Sequence, residues 1–319
     1  MNIWHTLPKP FFVLAPMEDV TDSCFRRIVG KAASPDLFFT EFTSTDGMCS
    51  PGLMKVAHRL VHYPEEHPII AQIWGTDPEK FYKSAQIIAE RGFDGIDINI
   101  ACPVKKITKQ GACSAMIGKN EQVREIILAT IEGGGLPVSV KTRLGIKASQ
   151  VNEWCGFLLS TPISALTIHG RTVAEMSKVP AHWDEIAKVV ELKHQMKSPV
   201  LVVGNGDVID RADGEAKVKA YGVDGIMIGR GIFHNLWAFE KSQREHTSSE
   251  RLAFFKEHIE LYESEWSGEK SFQPLKKFVK TYVQGFDGAS ELRDELVNAR
   301  NTGELLEMLA KNHSTTSSS

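Results

Sequence analysis

The chain has 319 residues, 42% hydrophobic and 24% charged, with a formal net charge of −3 and a pI near 6.4. This composition excludes global disorder and a uniformly basic surface, so any nucleic-acid partner has to be held by local basic clusters. No apolar run approaches the ~20 residues of a membrane span, and the five cysteines (Cys24, Cys49, Cys102, Cys113, Cys155) contain no CxxC pair, so no membrane anchor, disulfide framework or metal site is expected.

The first residues, MNIWHTLPKP, lack the charged-apolar-small pattern of a secretory signal. With free thiols suited to a reducing compartment, a cytoplasmic location is expected. Eight short apolar runs then follow in order: FFVLAP, DLFFTEF, PIIAQIWG, GIDINIACP, PVSVKTR, ALTIHGR, PVLVVGNGD and GIMIGRG. They are separated mostly by about 25–35 residues with helix-like patterning, as buried parallel strands with helical crossovers are. A doubly wound open sheet places its phosphate-binding glycines after the first strand. Here they gather after the seventh and eighth, so the predicted fold is α/β, a TIM (β/α)8 barrel over residues 1–240.

Beyond Glu240 the sequence turns polar and helix-favouring. Leu252, Phe255, Ile259 and Tyr262, then Leu275, Phe278, Val279 and Tyr282, recur at helical spacing. A small all-helical C-terminal domain is predicted over 241–312, and the polar tail 313–319 is expected to be disordered.

Barrel active sites lie at the carboxyl ends of the strands, which converts the strand list into a site list. Gln72 lies on the third run, Asn99 and Cys102 follow the fourth, and Lys141 and Arg143 the fifth. His169 and Arg171 follow the sixth, Asn205 and Asp207 the seventh, Gly229 and Arg230 the eighth. The GNGD and GRG turns can bring backbone N–H groups to a phosphate, which points to a mononucleotide-like cofactor; tight turns needing positive φ are the alternative. Lys141 ends an otherwise apolar run, where its ammonium suits negative charge on a reduced flavin ring, or an internal salt bridge to a carboxylate such as Glu41. Cys102, taken alone, reads as one more buried thiol, the reading that fits the other four cysteines.

The strings APMEDVTDSCFR, TEFTSTDGM, AQIWG, DINIACPVKK…GACSAM, PVSVKTRLG, TIHGRT, VVGNGDV, GIMIGRG and GFDGASELR together resemble, in order, the motifs of the bacterial tRNA-dihydrouridine synthases, from about residue 11 to 297. The resemblance implies an FMN-containing barrel with a helical tRNA-binding domain that uses NADPH to reduce the C5–C6 double bond of D-loop uridines. It implies that Pro16, Met17 and Glu18 meet the flavin edge, that Gln72 and Lys141 contact the isoalloxazine with His169 beside it, and that Asn205, Gly206, Asp207, Gly229 and Arg230 bind ribityl and phosphate. Cys102 becomes the donor of the proton that C5 needs after hydride arrives at C6. Asn99, Lys141 and Arg171 are expected at the uracil edge. Lys105 and Lys106 are assigned to RNA phosphates, because ammonium groups close to the thiol would favour thiolate. Lys276, Lys277 and Lys280, with Arg293 and Arg300 beyond, are expected to meet the tRNA elbow. A monomer that binds no metal is expected.

The chain departs from the family at Ala101 and Cys113, where relatives often carry glycine, and at Glu175, Ser177, Val179 and His182 after the HGRT element. A flavoenzyme of free pyrimidines, of the dihydroorotate dehydrogenase type, and a catalytically silent tRNA-binding relative are the competing readings.

Overall fold

The computed structural model describes residues 2–242, 244–266 and 268–316. Its strands are β1 (Phe11–Leu14), β2 (Phe38–Phe39), β3 (Thr43–Ser44), β4 (Ile69–Trp74), β5 (Gly95–Ile100), β6 (Val138–Arg143), β7 (Ala165–His169), β8 (Leu201–Asn205) and β9 (Gly225–Ile228). They form one parallel sheet in the order β1-β9-β8-β7-β6-β5-β4-β2, with β3 also on β4. A parallel bridge between Val13 and Leu37 closes the ring. The protein is therefore a TIM barrel, with helices such as Ser23–Ala33, Pro78–Glu90 and Trp183–Met196 around it.

The predicted second strand is split in two. β2 pairs with Ile69 and Ile70, β3 with Ile73 and Trp74, and between them the Thr40 hydroxyl accepts the Gln72 N–H at 3.0 Å. A side chain thus replaces a ladder carbonyl and frees the chain at Glu41 to turn away.

Strand alternation sorts the barrel interior into layers. Phe11, Val13, Ile70, Ala165, Leu201, Val203 and Met227 belong to one buried cluster, capped by Trp4, which packs edge-on against Phe11 at 5.7 Å. Further along the same faces come polar residues, paired in register: Gln72 opposite Asp97, Asp97 opposite Ser139, Asn99 opposite Lys141, Arg143 opposite His169, and His169 opposite Asn205. The apolar layer seals one end and the polar layer opens at the carboxyl end.

The helical C-terminal region comprises Ser248–Trp266, Val279–Tyr282, Ala289–Val297 and Thr302–Thr316. Both predicted stripes are buried, and Phe278 lies 4.4 Å from Phe25 of the helix Ser23–Ala33. That helix is anchored to the mouth by buried Arg26, which donates to Glu66 at 2.6 Å and to the Thr21 and Val61 carbonyls, each at 2.7 Å. The Thr21 hydroxyl in turn accepts the Met17 N–H at 2.9 Å. The tail expected to be disordered from 313 continues as helical backbone through Thr316, having no glycine or proline to stop the ladder, and 317–319 lie outside the described residues. Among the described residues no helix is long and apolar enough to cross a membrane.

Candidate active site

A cleft of about 530 Å³ opens over the carboxyl ends of the strands and brings together Pro16, Met17, Lys141, His169, Asn205, Gly206, Asp207, Gly229 and Arg230, with Arg143 added. Two glycines shape its floor. Gly206 has φ of +127°, and a Cβ there would stand 2.8 Å from that of Ala181; a Cβ on Gly231 would strike the Val208 and Ile209 carbonyls. At both positions the missing side chain lets neighbouring segments of the protein pack closely beneath the cleft.

The cleft is cationic. Burial, then the charge of Arg143, lowers the Lys141 ammonium to about 8, against the opposing pull of Asp97. Among the described residues Lys141 has no carboxylate within salt-bridge distance; Glu41 instead accepts the Asp19 N–H at 2.6 Å. Burial, then Arg171, brings Arg143 down to about 10. His169 is held neutral by burial and by Lys141, Arg143, Arg171 and Arg230. With Arg171 Nη1 3.1 Å from its Nε2, the network assigns the ring proton to Nδ1. Such a concentration of positive charge is a site for an anionic group.

Several expected residues are already engaged within the protein. Asp207 accepts from Arg171, from Arg230 at 3.0 Å and from the Ala181 N–H at 2.9 Å. Burial pushes its carboxyl up, but the Arg171 and Ala181 hydrogen bonds leave it below the ordinary range. Arg171 also donates to the Val179 carbonyl and does not line the cleft. Glu18, which likewise stands outside it, pairs with Arg59. Gln72 lies beneath the cleft, donating to Asp97 at 2.7 Å and accepting from Asn99 at 2.9 Å.

This last contact starts a chain leading to Cys102. Asn99 Oδ1 accepts the backbone N–H groups of Ala101 (2.9 Å) and Cys102 (3.1 Å), and Arg143 Nε holds the Ala101 carbonyl at 2.9 Å. At the base, Ser139 donates to Asp97 at 2.6 Å. Burial raises the Asp97 carboxyl to about 6, restrained by Ser139, Gln72 and Lys141. The half-buried Cys102 thiol is lowered to about 7 by a hydrogen bond from Cys113, which overcomes burial, with help from the Val104 N–H, Lys141 and Arg143. Lys105 and Lys106 are exposed in the short helix Lys105–Thr108 and are not among the groups that move the thiol.

Sequence reasoning named Arg143 among the strand-end residues without giving it a function, and assigned none to Asp97 or Cys113. The first two carried a signal in the polar alternation Asp97-Asn99 and Ser139-Lys141-Arg143 along neighbouring strands. Lys276, Lys277 and Lys280 do not share one regular helix. The 3₁₀ turn Gln273–Phe278 gives way to a helical turn at Val279; Lys276 lies over the Phe272 ring, and Lys277 reaches the Asp19 carbonyl at 3.3 Å. At about three residues per turn, neighbours 276 and 277 point ~120° apart. Arg293 holds the Val283 carbonyl and Arg300 pairs with Glu304. In the departing segment, Glu175 accepts from Thr172 N–H at 2.7 Å and meets His182 at 2.9 Å, closing the loop on itself.

Similarity to known proteins extends over nearly the whole chain. A family model described as dihydrouridine synthase (Dus) matches residues 13–317. A Staphylococcus aureus (strain Mu50) protein named "Probable tRNA-dihydrouridine synthase" is 47% identical over 311 residues, covering 97% of this chain and 94% of its own. A Bacillus subtilis (strain 168) protein named "Probable tRNA-dihydrouridine synthase 2" is 47% identical over 312 residues, covering 97% and 95%. Among solved structures, a 2-naphthoyl-CoA reductase shares the fold with a TM-score of 0.53 at 10% identity, over 72% of this chain and 49% of that one. The chain belongs to the dihydrouridine synthase family.

Proposed function

We propose that this enzyme reduces the C5–C6 double bond of a uridine in the D-loop of tRNA, with FMN in the cationic cleft and NADPH as reductant, acting as a metal-free monomer in the cytoplasm. The observation that carries the reading is the tie between Cys102 and the cationic cleft: Asn99 holds the Cys102 N–H, and Arg143, which lines the cleft beside Lys141, holds the adjoining Ala101 carbonyl. The donor set fits the cofactor: Gly206, Gly229 and Gly231 line the cleft with backbone that suits a phosphate, Arg230 supplies charge, Asn205 keeps its Oδ1 for a ribityl hydroxyl while its Nδ2 holds the Met227 carbonyl, and Lys141 matches charge at the flavin N1 and O2 edge. FMN bound there supplies hydride to C6. Cys102 gives its proton to C5, and Lys141 and Asn99 orient the uracil edge. Pro16 and Met17 border the ring through backbone. Asp207 acts by holding Arg171 and Arg230 in place, and Gln72 by holding Asn99.

The barrel, 1–240, carries the chemistry, and the helices of 241–312 hold the tRNA, with Lys280 and Lys277 facing phosphates. The target base has to leave its stack to reach the barrel mouth. Expression in bacteria stripped of their own dihydrouridine synthases tests the reading: dihydrouridine should return at a D-loop position. Reduction of free uracil or oxidation of dihydroorotate, with tRNA left unmodified, would refute it.

A second measurement concerns Lys105 and Lys106. The double variant Lys105→Ala, Lys106→Ala should bind tRNA more weakly, with a log Kd against log salt slope shallower by about two, one for each phosphate that a lysine no longer neutralises. The pH limb of catalysis should stay in place, since neither lysine is among the groups that set the thiol's acidity. A displaced limb would reject the assignment.

A further inference from the structure

Asp97 is a fully buried carboxylate (0% exposed) that, among the described residues, has no cation within salt-bridge distance. A charge placed so is costly to bury, and the hydrogen bonds around it show what it holds. Its Oδ1 accepts from Ser139 at 2.6 Å and its Oδ2 from Gln72 Nε2 at 2.7 Å. Gln72 Oε1 accepts from Asn99 Nδ2 at 2.9 Å, and Asn99 Oδ1 accepts the N–H groups of Ala101 and Cys102. Burial raises the Asp97 carboxyl only to about 6, so near pH 7.5 both oxygens accept and neither donates. A carboxylate that only accepts thus stands at one end, and two backbone N–H groups that only donate stand at the other. The two carboxamides between such ends satisfy every contact in one direction alone: nitrogen towards Asp97, oxygen towards Cys102.

We propose that Asp97 is a positioning residue that sets this direction, and through Gln72 aims the Asn99 oxygen at the backbone that carries Cys102. The inference rests on Cys102 being the acid in the proposed function. Asp97→Asn keeps the size of the side chain but not its polarity. The introduced amide would keep its oxygen on Ser139, whose buried hydroxyl has no other acceptor among the described residues, and turn its nitrogen to Gln72. Gln72 then meets a donor. Turning over to accept from it sets the Gln72 nitrogen against that of Asn99, and Asn99 can answer only by facing its own nitrogen to the N–H groups of 101 and 102. Ser139→Ala, by contrast, removes one hydrogen bond from the same carboxylate and leaves the direction intact.

The test reads amide hydrogen exchange in the peptide carrying Ala101 and Cys102, near pH 7.5 in the flavin-loaded protein, beside single-turnover tRNA reduction. Asp97→Asn should speed exchange of these two amides about tenfold and slow reduction about 10- to 100-fold, with exchange across β8 unchanged. Ser139→Ala should stay within about threefold of wild type in both measurements. Adding Gln72→Glu to Asp97→Asn returns an acceptor-only group beside Asn99, so the double variant should recover slow exchange and a rate within about threefold of wild type. Unaltered exchange in Asp97→Asn would mean that the two N–H groups fix Asn99 unaided, and would overturn the proposal. Equal acceleration in Ser139→Ala, acceleration across β8 as well, or a double variant no better protected than Asp97→Asn would overturn it too, since each is what packing alone predicts. Undiminished tRNA reduction by Cys102→Ala would overturn the acid assignment and with it the part of Asp97 in proton delivery, whereas exchange at 101 and 102 reports the direction of the carboxamides independently of catalysis.

Discussion

Cys102→Ala is expected to leave a folded, flavin-loaded protein that forms dihydrouridine about 10²–10⁴-fold more slowly, the usual range for loss of a positioned general acid. The loop should keep its shape, because Asn99 grips the backbone N–H groups of 101 and 102 and Arg143 grips the Ala101 carbonyl, none of which involve the sulfur. Reduction of bound flavin by the proposed reductant, NADPH, should be unchanged, since that half-reaction requires no proton at uracil C5. Cys102→Ser should behave like the alanine variant, a hydroxyl being far less acidic than a thiol. The pH profile adds a sign: with the Cys102 thiol held near 7, the active protonated form is depleted as pH rises, so the tRNA step should fall about tenfold per unit well above 7. Stopped-flow flavin absorbance with saturating tRNA measures both. A loss smaller than tenfold would mean another group delivers the proton.

The barrel was legible because its strands are buried on both faces and read as continuous apolar runs. The break between Phe39 and Thr43 was not, since DLFFTEF has no turn residue inside it; the interruption is made by the Thr40 hydroxyl taking the Gln72 N–H, a tertiary substitution. Nor was the plug at Trp4, whose burial depends on which barrel end the N-terminal segment crosses. In the cleft, glycine turns and a lone lysine at a strand end were readable position by position. Which groups would be open and which engaged was not. Asp207, Arg171 and Glu18 looked available in one dimension, yet each finds its partner across a loop, at distances in sequence of 36 residues for Arg171 with Asp207 and 41 for Arg59 with Glu18. Cys113 was noticed only as a departure from glycine, and the backbone angle that makes the departure costly belongs to the folded loop.

Arg143 illustrates how charge and geometry separate in this site. Its guanidinium bonds three carbonyls: Ala101 at 2.9 Å, Thr172 at 3.1 Å and Met176 at 3.0 Å, so one side chain ties the Cys102 loop to the segment after β7. It is only 7% exposed, and water cannot easily replace those bonds. Arg143→Lys retains the positive charge but offers one ammonium where a planar fork spans three acceptors. At about 1–3 kcal/mol for each buried carbonyl left unpaired, the expected loss is about 2–4 kcal/mol in denaturant-derived stability. Displacement of the Cys102 loop by as little as ~1 Å should slow tRNA reduction about 10²-fold, with flavin affinity little changed because the cation is still present. If the lysine variant keeps both stability and rate within threefold, Arg143 acts through its charge on the cleft alone. If rate and stability fall while flavin binding holds, the fork is what sets the thiol in place, and the acid is positioned by backbone contacts from two neighbouring strands rather than by the sulfur's own surroundings.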